Sequence, residues 1–202
     1  MEHLFEIEGA HYSRLEDRRL ITGAGRYASD WNLPGELHAF FLRSDRAHAK
    51  IVSIDTTEAA KHPGVVRIYT GKEAVAAGFV RPMTMLSFKG RNGMTVRQPE
   101  RPALAHGRVR CVGEPVAMVV AESALAAQDA AELIEIEYED LPVVIDPEAA
   151  LADGAPLLHE SVPGNLPFEF EAGDGAATEA AFAKAAHVTK LKIAVTRVAP
   201  NP

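Results

Sequence analysis

Residues 116–141 constrain this chain more than any other stretch, because three periodicities follow one another there without a break. Val116-Ala117-Met118-Val119-Val120-Ala121 is almost continuously apolar, the pattern of a β-strand buried on both faces. Ser123 then stands where a helix N-cap is needed, and Ala127, Ala130, Ala131 and Ile134 recur at the i, i+3, i+4, i+7 spacing of one buried helical face. Alanines on that face let a helix lie close against a sheet. From Ile134 the period drops to two. Ile134, Ile136 and Tyr138 alternate with Glu135, Glu137 and Glu139, as a half-exposed strand requires, and Leu141-Pro142 ends it. The chain must therefore build a sheet with a helix laid on it, and the run 116–121 is the expected centre of the core.

The flanking sequence supplies further elements. The first 35 residues are polar and irregular and are expected to wrap over a surface, ending at the turn-prone Asn32-Leu33-Pro34-Gly35. Residues 36–43 and 50–55 read as strands with His48 in the connection between them. Thr56-Thr57-Glu58-Ala59-Ala60-Lys61 reads as a short helix closed by Pro63-Gly64, and the β-branched Val65-Val66-Arg67-Ile68-Tyr69 as a strand. Between 80 and 101 the periodicity fails. Met83, Met85, Leu86, Phe88 and Met94 are interleaved there with Arg81, Lys89, Arg91 and Arg97, a mixture that suits an adaptable contact loop and a solvated, disordered one equally. Val109-Arg110-Cys111-Val112 reads as a strand leading into the apolar run.

After Val143-Val144-Ile145, a short helix signal at residues 146–151 gives way to a Gly/Pro-rich connection through Gly154, Pro156, Pro163, Gly164 and Pro167. This sets the expected organisation: a wrapping segment at 1–35, a main domain at 36–153, and a linker with the start of another domain at 154–202. In that last part residues 168–170 read as a strand and Asp174 as a helix cap, with Thr178, Ala181, Phe182 and Ala185 on one helical face. Leu191, Ile193 and Val195 then alternate with Lys190 and Lys192 as a final strand. A half-exposed strand with no successor leaves an unpaired apolar edge, so the chain is expected to be completed by further polypeptide beyond Pro202.

Composition narrows the functional classes. With 202 residues, 47% hydrophobic and 24% charged, the chain can bury a core unaided and has no disorder signature. A net charge of −7, with both signs dispersed, argues against nucleic acid as a partner. Cys111 is the single cysteine, which excludes an internal disulfide and any multi-thiolate metal or iron–sulfur site within the chain, and suits a reducing cytoplasm. The segment Met1-Glu2-His3-Leu4-Phe5-Glu6 lacks the basic start and apolar run of a secretory signal, and no stretch approaches membrane-spanning length.

No local motif amounts to a site. Gly23-Ala24-Gly25-Arg26-Tyr27-Ala28 matches the letters of a dinucleotide fingerprint, but no apolar strand precedes it and Ser29-Asp30-Trp31-Asn32-Leu33-Pro34 cannot continue as a helix, so the glycines serve a tight turn. Among the eight histidines no pair has helical ligand spacing, and His38, His48, His106, His159 and His187 stand alone in separate elements. Cys111 reads as a small buried hydrophobe rather than a nucleophile. Glu135, Glu137, Glu139 and Asp140 form the densest acidic run, but three of them share one wet strand face rather than standing as carboxylates in unlike environments. Glu114, between the turn formers Gly113 and Pro115, suits capping of a nearby backbone amide better than catalysis. No catalytic, cofactor-binding or metal-ligating residue is assigned.

Several blocks taken together resemble a known family. Arg14-Leu15-Glu16-Asp17, Leu20-Ile21-Thr22-Gly23-Ala24-Gly25-Arg26-Tyr27, Asp30 and Leu33-Pro34-Gly35 look like the opening of the large subunits of xanthine dehydrogenases, aldehyde oxidases and carbon monoxide dehydrogenases. Arg43-Ser44, Ala47-His48-Ala49, Ile54-Asp55, Pro63-Gly64-Val65, Val112-Gly113-Glu114-Pro115-Val116-Ala117 and Ala130-Ala131-Glu132-Leu133-Ile134 continue the resemblance in order and spacing. It reaches Arg197-Val198-Ala199-Pro200-Asn201-Pro202, where family members run on into a larger cofactor-binding region. At Cys111 family members often carry an aromatic residue.

The resemblance implies an α+β fold: an α/β-hammerhead domain with a mixed sheet and packed helices, followed by the first elements of a truncated molybdopterin-binding domain. It further implies a structural and partner-contact role in a molybdenum hydroxylase, an oxidoreductase complex, with no turnover by this chain alone. Molybdopterin cytosine dinucleotide would sit in the complete complex, with iron–sulfur clusters and FAD on partner subunits and no cofactor bound by this chain alone. The partners would be the remaining carboxy-terminal part of the large subunit, an iron–sulfur small subunit and a FAD-binding medium subunit, in the cytoplasm. Two other classes compete. A barrel-sandwich binding module would need a lysine where Met83-Thr84-Met85 has threonine, and a small hydrolase would need a histidine brought to Glu114 or Cys111.

Overall fold

The computed structural model describes residues 14–79, 89–99 and 101–193. Their strands are β1 (His38–Arg43), β2 (Ala49–Asp55), β3 (Val65–Thr70), β4 (Arg108–Val109), β5 (Pro115–Ala121) and β6 (Glu135–Asp140). Their α-helices are α1 (Asp17–Ile21), α2 (Gly71–Ala76), α3 (Ala124–Glu132) and α4 (Gly175–Lys184). The chain divides into two compact units, one of residues 1–82 and 100–145, the other of 83–99 and 146–202.

All the described strands lie in the first unit, in two sheets ordered β1-β5-β3 and β4-β2-β6. Every strand pairing is antiparallel, where a single mixed sheet was expected. The difference comes from α3. A helical crossover can return a chain parallel to the strand it left, but here it carries the chain from β5 in one sheet to β6 in the other.

The main core forms where the sequence pattern places it. Ala117, Val119 and Ala121 of β5 pack with Ala127, Ala130 and Ala131 of α3, all at 0–1% exposure, with Phe40, Leu42, Val65 and Ile68 around them. The small side chains contribute little area each, and their effect is to bring the helix close to the sheet at interior packing density. Ser123 caps α3, its Oγ accepting from the Ala126 amide at 3.1 Å.

The other face of β5 is only partly covered. Val116 is buried in a second cluster with Ala49, Ala105 and Val109, whereas Met118 and Val120 are half-buried. The expectation of a strand buried on both faces therefore holds at Val116 and fails at Met118 and Val120.

Other elements depart from the sequence reading. Residues 17–21 form a short helix where irregular chain was expected, and Gly23, at φ +72°, takes the left-handed conformation that ends it. The expected strand at 109–112 stops at Val109, because the chain turns over Cys111 and Gly113, the latter at φ +85°. Helix α2 was not anticipated, although Thr70-Gly71-Lys72-Glu73 spells a capping box. Glu73 Oε2 accepts from the Thr70 amide at 2.7 Å and from its hydroxyl at 2.9 Å.

In the second unit, Lys89 bridges Thr95, and the amides of Arg91 and Arg97 donate to the carbonyls of Glu169 and Pro167 at 2.7 and 2.8 Å. The Arg91 guanidinium meets Glu169 at 3.0 Å and Glu171 at 2.9 Å. Residues 168–170 are thus held by a turn rather than by a ladder, and the strand expected there is absent. Asp174 caps α4 through the Ala177 amide as read, but the helix buries no residue. Residues 190–193 are likewise not a strand, since alternation makes a strand only where a ladder partner exists; Val195 lies outside the described residues. The unpaired terminal edge inferred from sequence is therefore not found among the described residues. Of these, only Val162 is buried in this unit.

The packing of α3 gives a direct expectation. Ala127→Leu has no space at a fully buried site and should lower unfolding free energy by roughly 1–3 kcal/mol in urea titrations. Leu125→Ala, on the exposed side of the same helix, should change it by less than about 0.5 kcal/mol.

Candidate functional site

Two places in the first unit concentrate unusual side chains. The first is a buried polar node at the β1–β2 connection. As β1 ends, the Ser44 amide donates to the Glu114 carbonyl at 2.9 Å and the Gly113 amide donates to the Ser44 carbonyl at 2.8 Å. Arg43 adds a guanidinium bond to the Gly113 carbonyl at 2.8 Å. The segments Arg43-Ser44 and Gly113-Glu114-Pro115, far apart in sequence, are thus clasped together.

His48 lies just beyond, 4% exposed. Its ring Nδ1 is 2.7 Å from the Pro142 carbonyl, which can only accept, so Nδ1 carries a proton in this contact. The Leu141 amide donates to the His48 carbonyl at 2.9 Å, so His48 grips residues 141–142 with both backbone and ring. Its Nε2 and the Tyr138 hydroxyl are buried, and neither has a hydrogen-bond partner among the described residues. Burial raises the Tyr138 phenol above its ordinary range, against the opposing pull of the nearby Ser44 side chain, while Asp45 raises it further and Arg46 lowers it. Arg46 also stands over the Tyr138 ring at 5.9 Å.

The second place is a groove of about 740 Å³ on the face of the β1-β5-β3 sheet opposite α3. Phe41, Tyr69, Met118 and Val120 form its floor, and α2 and its surroundings supply a wall through Ala74, Ala77 and Phe79. Arg67 lies at the groove, 3.9 Å from Glu73 and 5.5 Å from the centre of the Tyr69 ring.

The residues singled out from sequence are not brought together. Glu114 is half-buried and its Oε2 accepts from the Arg110 amide at 2.6 Å, a cap on the turn. Cys111 is exposed and lies outside any strand, so its assignment as a buried hydrophobe is overturned: the turn at Gly113 swings it to the surface. Glu135, Glu137 and Glu139 share an exposed face of β6, with Glu137 against Ser53 and Glu139 against Lys50, while Asp140 meets Arg46 on the other side of the strand.

The histidines also remain scattered. His38 is 3.9 Å from Glu36, His187 is beside Thr189, and His106 is exposed. Among the described residues no three His, Cys, Asp or Glu side chains are grouped to hold a metal ion. Nothing in this donor set fits a molybdenum centre, and no chemical step is assigned to it. Gly23 and Gly25 follow a helix instead of opening one, as a turn requires. Met83-Thr84-Met85 lies outside the described residues, as does most of the apolar part of the 80–101 loop.

Sequence reasoning missed His48 and the groove for different reasons. The node needs tertiary contacts across 94 positions, from His48 to Pro142, which no spacing reveals. The groove left a trace: Phe41, Tyr69, Met118 and Val120 are apolar at positions alternating with the core-facing ones.

Cys111 supplies a pH test. Partial burial raises its pKa, the Glu114 carboxylate raises it further, and Arg101 opposes both. The thiolate fraction at neutral pH is therefore small, and alkylation by iodoacetamide should accelerate across the pH range above that of an ordinary thiol. Glu114→Gln keeps an acceptor for the Arg110 amide but removes the charge, and should speed alkylation at pH 8; an unchanged rate would refute the coupling.

A profile of the aldehyde oxidase and xanthine dehydrogenase a/b hammerhead domain matches residues 22–142. The nicotine 6-hydroxylase large subunit of Paenarthrobacter nicotinovorans is 41% identical over 198 residues, covering 97% of this chain and 23% of that protein. The carbon monoxide dehydrogenase large chain of Afipia carboxidovorans is 36% identical over 206 residues, covering 96% of this chain and 24% of that one. A crystal structure of a Cu,Mo-CO dehydrogenase superposes with a TM-score of 0.72 at 35% identity, over 89% of this chain and 23% of its counterpart. The chain thus spans about a quarter of the length of the relatives it matches.

Proposed function

The chain belongs to the aldehyde oxidase and xanthine dehydrogenase a/b hammerhead family, and from that premise we propose that it is a structural and partner-contact portion of a molybdenum hydroxylase large subunit. In this role it contributes no catalytic residue and turns over no substrate alone. The coverage of the relatives carries the proposal: nearly all of this chain aligns with large subunits of which it accounts for less than a quarter. Residues 1–35 would wrap over a neighbouring surface, 36–153 would form the hammerhead domain, and 154–202 would lead into a molybdopterin-binding domain.

Several features support a role in assembly. Trp31 and Leu33 of the amino-terminal segment are well exposed, as are Phe182 and Leu191 of the second unit, whose described residues include only one buried side chain. Such surfaces suit contact with more polypeptide. The molybdopterin cytosine dinucleotide would be held by that polypeptide, where it supplies the oxidation chemistry when bound. Iron–sulfur clusters and FAD would reside on small and medium subunits. A cytoplasmic location accords with the single cysteine, and no described helix is long and apolar enough to cross a membrane.

Affinity purification of the tagged chain from its own host tests the assignment. Molybdenum, measured by mass spectrometry of the metals, should co-elute with the chain in a high-mass complex, together with a larger large-subunit polypeptide. A metal-free monomer, or hydroxylase activity from the isolated chain, would overturn it.

A further inference from the structure

We infer that the groove opposite α3 is the seat for an apolar-faced α-helix from large-subunit polypeptide outside the matched stretch. The inference rests on the large-subunit assignment above and adds to it a surface and an occupant. A sheet face meant for water carries polar side chains at every second position, yet this floor is Phe41, Tyr69, Met118 and Val120. Both faces of β5 are thus apolar, while among the described residues only one is closed by a helix.

The wall determines what can lie there. Ala74 and Ala77 fall at i, i+3 on and just after α2, a ridge of small side chains against which a second helix can pack at the usual 8–10 Å between axes. Among the described residues that line it, Arg67 is the cation, and it already has Glu73 and the Tyr69 ring as partners. The groove is therefore electrically balanced, and its complement is an uncharged face, of the kind that a helix buried within one subunit presents. The relatives contain polypeptide to supply it, because the matched stretch is 23–24% of their length.

Photocrosslinking in the host organism tests this. p-Benzoylphenylalanine is placed at Phe41 or Tyr69, which at 41% and 38% exposure accept a larger ring at the groove mouth, and separately at Trp31 in the amino-terminal segment. Groove positions should cross-link to a large-subunit peptide outside the matched stretch, identified by mass spectrometry, and Met118→Glu should reduce that yield at least several-fold. Cross-links from Trp31 to the large subunit without any from the groove would overturn the groove assignment and leave the family role standing. Groove cross-links to a second copy of this chain, or to an iron–sulfur subunit, would overturn it as well. Cross-links to no molybdenum-hydroxylase subunit from any position would remove both. Circular dichroism of each variant, matched to the unmodified chain, guards against misfolding, and Val120→Lys provides a second disruption should Met118→Glu fail to fold.

Discussion

The contact between α3 and β5 is the constraint from which the rest of the fold follows. Ala127, Ala130 and Ala131 meet Ala117, Val119 and Ala121 with essentially no solvent left between them. Larger residues would lift the helix off the sheet, and polar ones would be buried without partners. The same helix delivers the chain from the first sheet to β6 of the second. One close-packed helix therefore closes one side of the β1-β5-β3 sheet and fixes where the other sheet begins.

Around that contact, local chemistry pins the connections. The Ser44 and Gly113 backbones exchange hydrogen bonds, and Arg43 reinforces them. His48 holds Leu141-Pro142, where the chain leaves the β-rich unit. Arg43, Ser44, His48 and Gly113 lie within the blocks through which the chain resembles the hydroxylase large subunits, which gives those blocks a physical meaning: they set the path of the backbone.

Much of the first unit was legible in the sequence because its signals are local. The continuous run 116–121, the cap at Ser123 and the switch of period at Ile134 each name an element, and β5, α3 and β6 form there. Where tertiary context decides, the pattern misleads. Residues 190–193 alternate correctly yet find no ladder, and Cys111 sits in an apolar stretch that a glycine at positive φ turns outward. The capping box at Thr70-Glu73 was readable and marks α2. The node around His48 was not, because its members come from the β1–β2 connection, β6 and the chain that follows β6.

The central claim is that this domain is finished on its α3 side and completed on the other by polypeptide of the same enzyme. Amide hydrogen exchange of the free chain and of the assembled complex measures this most directly. Helix α3 should be equally protected in both, while α2 and the strands β1 and β3 that flank the groove should gain protection on assembly. Equal protection of those elements in the free chain and the complex would contradict the claim.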